Sequence, residues 1–402
     1  MNKRSVGRAA VLVALAVAFV GGRPAASFAR VAGIEIGVLP SGALDAITDV
    51  AGVRVGQVTK ISGSGRLRPG IGPVRTGATV ILPNDDPWVK RVAAATYDLN
   101  GNGELTGAHW VDESGFLEEP IALTSTMNVA RVDDGVEDWL IAHHPAIGVH
   151  EDVPLPVVAE CDDQGLDDVQ GRHVSPADVV RILDDAKPGA FPRGSVGAGT
   201  GMRAFGFKAG VGTASRVVAK EQGGYTVGVL VNANTGSREQ LAIGGVPIGR
   251  IFAHELLPVF PKRTSWEPTR GRAADGSVIV VIATDAPLDH RQLHELAKRA
   301  VLGLGRTGAT SHVSSGDLLI AFSTARTYPR DESATLGPTV LSDSDRVDAL
   351  FDATAEATEA AVDDALFSAR TMSGSNGVTF YGLPVDRVRA ILDRSRPRAL
   401  VR

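Results

Sequence analysis

Cysteine is almost absent from this 402-residue chain: Cys161 stands alone. An internal disulfide is therefore excluded, and the residue reads as a buried small hydrophobe, pairing between chains being the alternative. No Gly-x-Ser-x-Gly elbow occurs, which removes the usual strand-turn-helix serine of α/β-hydrolases. No His-Glu-x-x-His occurs either. His294-Glu295 lacks its second histidine and His143-His144 has no partner spacing, so zinc has no recognisable ligand set. The Gly-rich stretch 197–201 reads G-x-G-x-G, but no P-loop lysine follows and the third glycine is misplaced for a dinucleotide fingerprint. The spacing of Asp98, Asn100, Asn102 and Glu104 resembles a calcium loop without its closing glutamate. No linker of domain length and no internal repeat interrupts the chain, so it reads as one α/β unit.

An excess of basic charge is also missing. The first 29 residues hold four of the 41 basic residues and none of the 46 acids. Without them the chain carries 37 basic residues against 46 acids, a net charge of about −9, which argues against nucleic acid or an anionic membrane as partner. Those residues read as a secretory leader. Lys3, Arg4 and Arg8 precede an apolar run from Ala9 to Val20 that is too short to span a bilayer, and Ser27 and Ala29 suit the −3 and −1 positions of a cut. The expected mature protein is periplasmic or secreted.

What the sequence does contain centres on Asp275 to Asp285. Gly276-Ser277 stands directly before the β-branched run Val278-Ile279-Val280-Val281-Ile282, a composition suited to a strand buried on both faces. A serine there reads first as an ordinary strand opener. The sharper reading is self-cleavage: Ser277 Oγ attacks the Gly276 carbonyl, the ester hydrolyses, and Ser277 becomes a new N-terminus with a hydroxyl and a free amine. Such an amine has an ordinary pKa of about 7.7–8, so near neutral pH it can accept a proton. Glycine suits the leaving position by tolerating strained backbone.

Other polar residues sit where strands end or begin. Tyr225–Val231 runs into Asn232-Ala233-Asn234, whose amides could donate to an oxyanion or cap a turn. Val157-Val158-Ala159 ends in Glu160, which is either a structural ion-pair member or a clamp for a substrate ammonium. Asn100 to Glu104 could line a pocket or form a surface turn, and the polar cluster Thr124–Asn128 is equally ambiguous. Ser315 and Asp317 precede an apolar strand and, two residues apart, point to the same side of an extended chain. They read as a strand-start turn or as a hydrogen-bonding relay to a neighbouring strand.

Six of these stretches occur in an order that resembles the DmpA/BapA family of L-aminopeptidase/D-esterases and β-peptidyl aminopeptidases: Asn100–Glu104, Pro156–Glu160, Gly197–Met202, Asn232–Asn234, Gly276–Leu288 and Ser314–Asp317. The resemblance covers roughly residues 40–390. The resemblance implies a four-layer α-β-β-α sandwich of the type shared with ornithine acetyltransferases, like that of N-terminal-nucleophile (Ntn) hydrolases. It implies cleavage between Gly276 and Ser277 into an α chain, 30–276, and a β chain, 277–402, assembled as heterodimers into a tetramer. It further implies acyl transfer through Ser277, with Asn234 at the oxyanion, Ser315 and Asp317 beside the nucleophile, Glu160 on the free amine of a small peptide, amide or ester, and no metal or organic cofactor. One position departs from the pattern: Asp162 stands where an aromatic residue is expected, which leaves the preference among β-, D- and L-amino residues open. Ornithine acetyltransferases and nylon-oligomer hydrolases share parts of this pattern but typically carry threonine at the position of Ser277, and an uncleaved binding protein is the non-enzymatic alternative.

The remaining chain reads as packing elements. Ala46–Gly56 and Thr76–Leu82 are expected as strands, with an exposed loop over 61–72 between them. Helices are expected from Ser175-Pro176, from His290 to Leu304, within Asp345–Met372 and over Pro384–Leu392. Thr264–Asp275 is polar and aperiodic, as suits a tail freed by cleavage.

Overall fold

The computed structural model describes residues 28–31, 33–261, 276–330, 337–340 and 344–395. Nearly all of the expected leader and the 264–275 segment lie outside the described residues.

Two sheets face each other. The larger has six strands in the order Val211–Val217, Thr226–Asn234, Ser277–Thr284, Gly316–Pro329, Lys90–Gly101 and Phe116–Leu117. Its neighbours pair antiparallel except Ser277–Thr284 with Gly316–Pro329, which run parallel. The smaller sheet orders Arg54–Ser62, Val74–Leu82, Ile121–Ser125 and Val157–Cys161, the last two parallel.

The β-branched run explains the layering. Side chains alternate along a strand, so Ile279, Val281 and Ala283 enter the core between the sheets, against Ile121, Leu123 and Ala159. Val278, Val280 and Ile282 enter the opposite core, beneath helices His290–Arg306 and Asp345–Phe367. A strand covered on both faces has no need of polar alternation. The outer face of the smaller sheet is covered by helices Val129–His143 and Pro176–Asp184. Four layers result, α-β-β-α, as expected.

Local chemistry starts the helices. Asp289 caps His290–Arg306 by accepting from Gln292 N at 2.8 Å, and Ser175 caps Pro176–Asp184 with proline at the first helical position. Two readings need correction. Ala46–Gly56 is not one strand: Ile47–Asp49 forms a 3-10 turn capped by the Asp49 carboxylate, and the strand begins only at Arg54. The Asp49 side chain, bonding backbone N–H groups of Leu44 and Ala46, outcompetes ladder pairing there. Gly276 is not in a left-handed conformation. A Cβ at that position would lie 3.1 Å from Thr235 Cα and 3.2 Å from Asn234 O, so close approach to the neighbouring strand accounts for the glycine.

Candidate active site

Ser277 opens the central strand and stands directly across the ladder from Asn234, the last residue of its antiparallel neighbour. Partners directly opposite in a ladder present side chains to the same face. Asn234 Nδ2 accordingly donates to Ser277 Oγ at 3.2 Å. The amide is held by both ends: Nδ2 also donates to Asp162 O at 3.1 Å, and Oδ1 accepts from Arg203 N at 3.2 Å. A carbonyl beside the donor end and an N–H beside the acceptor end fix which way the amide faces. Asn232, two residues back, is fully buried and its side chain contacts none of these groups by hydrogen bond.

On the other side of Ser277 the parallel register pairs it with Gly316, and Gly316 N donates to Gly276 O at 3.2 Å. The carbonyl of the Gly276–Ser277 peptide is thereby held and polarised. The register also places Asp317 opposite Val278, on the face away from Ser277 Oγ. Ser315 Oγ donates to Asp317 Oδ1 at 2.7 Å, and Asn100 Nδ2 donates to Asp317 Oδ2 at 3.0 Å. Asp317 is thus buried and doubly satisfied. Ser315 and Gly276 line one small cleft together with Thr235 and His312.

Glu160 comes from the smaller sheet. It lies 4% exposed near the end of Val157–Cys161, where Oε1 accepts from Glu104 N at 3.2 Å and Oε2 accepts from Thr126 Oγ1. Burial raises its pKa above the usual carboxylate range, and the two hydrogen bonds oppose that shift. Each oxygen keeps a lone pair, so an ammonium could still be accepted. A Cβ on Gly103 would fall 3.2 Å from Glu160 Oε1, which is why the backbone can come so close there.

Ser277, Asn234 and Glu160 share one open cavity of about 560 Å³, with Glu104, Asp162 and Met127 among its other walls. The structure therefore gathers Ser277, Asn234 and Glu160 around one space and sets Ser315 and Asp317 behind the strand head. Cys161 lies beneath, fully buried, with Sγ 3.5 Å from Asn232 O and its thiol pKa pushed up by burial. Asp162 is partly exposed, its carboxylate accepting from Gln164 N at 2.8 Å. The sequence leaves Asn100 and Thr126 ambiguous between pocket lining and a turn, and points to no role for Arg203 or Lys208. Asn100 and Thr126 fall inside polar clusters that sequence could flag, whereas Arg203 acts through its backbone and carries no side-chain signal.

Comparison with known proteins identifies the family and the fold type. Residues 45–380 match the family described as Peptidase family S58. The β-peptidyl aminopeptidase BapA of Sphingosinicella xenopeptidilytica is 44% identical over 363 residues, 89% of this chain and 89% of that protein. A β-aminopeptidase from Burkholderia sp. superposes with a TM-score of 0.78 at 38% identity, covering 91% of this chain and 99% of that one. The L-aminopeptidase D-Ala-esterase/amidase of Ochrobactrum anthropi, described as a prototype for the serine aminopeptidases and a variant of the Ntn hydrolase fold, superposes at 0.78 with 36% identity, covering 89% and 95%. The four-layer architecture is thus the Ntn-hydrolase type, and with the family match running through every strand of the candidate site, the chain belongs to peptidase family S58.

Proposed function

We propose that this chain is a self-processing serine aminopeptidase that releases N-terminal residues, β-amino residues among them, from short peptides, amides and esters. The observation that carries the reading is the shared cavity: a strand-head hydroxyl, an amide donor 3.2 Å from it and a buried carboxylate surround one space. Membership of family S58 supports the hydrolase and aminopeptidase assignment. The names of the Sphingosinicella and Burkholderia relatives support the β-amino preference. That membership favours the aminopeptidase reading over the acetyltransferase, nylon-oligomer and binding-protein alternatives.

In the processing step Ser277 Oγ attacks the Gly276 carbonyl, whose oxygen is already bonded to Gly316 N. The C–N bond breaks, the nitrogen takes the hydroxyl proton, and water then hydrolyses the ester to free residues 30–276 from 277–402. Pairing of Ser277–Thr284 with Thr226–Asn234 supports continued association of the two pieces.

In turnover the substrate ammonium sits against Glu160 and the Ser277 amine takes the Oγ proton as Oγ attacks the substrate carbonyl. The oxyanion is met by Asn234 Nδ2, and the proton passes to the leaving amine as the acyl-enzyme forms. Water, activated by the same amine, releases the acid. Asp317 faces away from Oγ, so this reading gives Ser315 and Asp317 to the amine nitrogen, which is free to turn once the peptide is cut, rather than to Oγ. The basic leader supports export to the periplasm or medium, and the tetramer of heterodimers rests on the resemblance alone.

The test is hydrolysis of β-alanyl and D-alanyl p-nitroanilides beside their N-acetyl derivatives. Release from the free amines and not from the acetylated forms supports the reading; release from neither contradicts it. Acetylornithine serves as the acyltransferase control.

A further inference from the structure

Lys208 is fully buried, where lysines are seldom found, and touches none of Ser277, Glu160, Ser315 or Asp317 by hydrogen bond. It lies on a short hairpin in which Phe207–Lys208 pairs with Arg203–Ala204, Lys208 directly opposite Arg203. Its ammonium donates to three backbone carbonyls: Met202 O at 2.7 Å, Ala209 O at 2.7 Å and Gly199 O at 3.2 Å. Three N–H groups meet three acceptors, so the cation is fully satisfied by peptide dipoles.

One of those peptides is the Met202–Arg203 unit. Its carbonyl accepts from Lys208 Nζ, and its N–H is the one that donates to Asn234 Oδ1 at 3.2 Å. Asn234 Nδ2 in turn donates to Ser277 Oγ at 3.2 Å. The contacts run in one direction, from ammonium to peptide to side-chain amide to the reacting hydroxyl. Each amide in such a chain is polarised by the one before it: a cation on the carbonyl makes the attached N–H a better donor, which makes the next carbonyl's amide a better donor again. In a buried setting the field of the cation is weakly screened.

We propose that Lys208 is a positioning and polarising residue for the oxyanion site, delivering the influence of its positive charge to Asn234 Nδ2 through the Met202–Arg203 peptide. This rests on the reading of Asn234 as the oxyanion donor. Burial lowers the Lys208 pKa to about 7 and the Asp163 carboxyl opposes that shift, so a substantial share of the amine is cationic at neutral pH.

A double-mutant cycle on the two-chain protein tests it, with Lys208→Met and Lys208→Gln each combined with Asn234→Ala. The Gln variant removes the charge while keeping two N–H donors, on a shorter side chain, for the three carbonyls. Asn234→Ala should lower kcat by roughly a hundred- to a thousandfold. Each Lys208 variant should lower kcat by about tenfold or more with KM within about twofold, and should add little to the loss already caused by Asn234→Ala. Self-cleavage shares the Ser277 hydroxyl with turnover, but its oxyanion forms on Gly276 O beside Gly316 N and not against Asn234 Nδ2, so a cut chain reports a folded site independently of the Asn234 donor. If Lys208→Met stays uncut while Lys208→Gln is cut, the Gln arm decides. Both variants left uncut, kcat within about twofold of wild type, or losses that add to that of Asn234→Ala would each overturn the inference. Asn234→Ala with unchanged kcat would instead overturn the oxyanion reading beneath it.

Discussion

Asn234 and Ser277 are direct ladder partners, and the amide of one donates to the hydroxyl of the other at 3.2 Å. Register therefore sets this contact, not loop geometry. A one-residue slip of either strand would send the two side chains to opposite faces, so the pairing that builds the core also builds the site.

Glu160 governs substrate binding in this account. Glu160→Gln keeps the acceptor of the Glu104 N–H but removes the charge, so KM for a free-amine p-nitroanilide should rise roughly ten- to a hundredfold with a smaller change in kcat. Burial holds the Glu160 pKa above its ordinary value. The carboxylate is thus lost on acidification earlier than an exposed glutamate would be, and KM should climb as pH falls toward that raised value. Unchanged KM in the Gln variant would remove the amine clamp.

Ser315 and Asp317 should affect proton transfer rather than binding. Asp317→Ala frees the Ser315 hydroxyl from its 2.7 Å bond and leaves Asn100 Nδ2 without that acceptor. A fall in kcat of roughly a hundredfold, with KM nearly constant and a shifted acid limb of the kcat profile, is expected. A pure KM effect would place the pair in substrate binding instead.

Glu119 is buried beside Glu118, and burial first, then that neighbour, raises its pKa to about 8. The unfolded chain ionises this group near pH 4.3, so between there and about 8 the unfolded state binds fewer protons and stability falls as pH rises. Glu119→Gln should raise Tm at pH 8, by the equivalent of up to a few kcal/mol, and change it little at pH 4. An equal shift at both pH values would show that ionisation is not the cause.

Much of this was legible in the sequence, for identifiable reasons. The run Val278–Ile282 could be read as a strand because both of its faces are buried, and His290–Arg306 as a helix because its apolar residues recur on one side. Ser277, Asn234 and Glu160 stand at strand ends, where polar residues after apolar runs are conspicuous. Helix Val129–His143 was hidden because its apolar spacing is diluted by the exposed Asp134 and Asp138 and the half-buried Asp133. The facing of Asp317 away from Ser277 Oγ depends on strand register, which no local pattern specifies. The grip of Lys208 on the Met202–Arg203 peptide joins a side chain to backbone atoms, a relationship that residue identities do not encode.

The central claim is that Ser277 cuts its own chain and then serves as nucleophile. Intact mass spectrometry of the purified protein beside a Ser277→Ala variant tests it most directly. The account predicts two wild-type polypeptides whose masses place the break between Gly276 and Ser277, with the variant whole and inactive. A single uncut wild-type chain that still hydrolyses the p-nitroanilides, or a variant cut at the same bond, would contradict it.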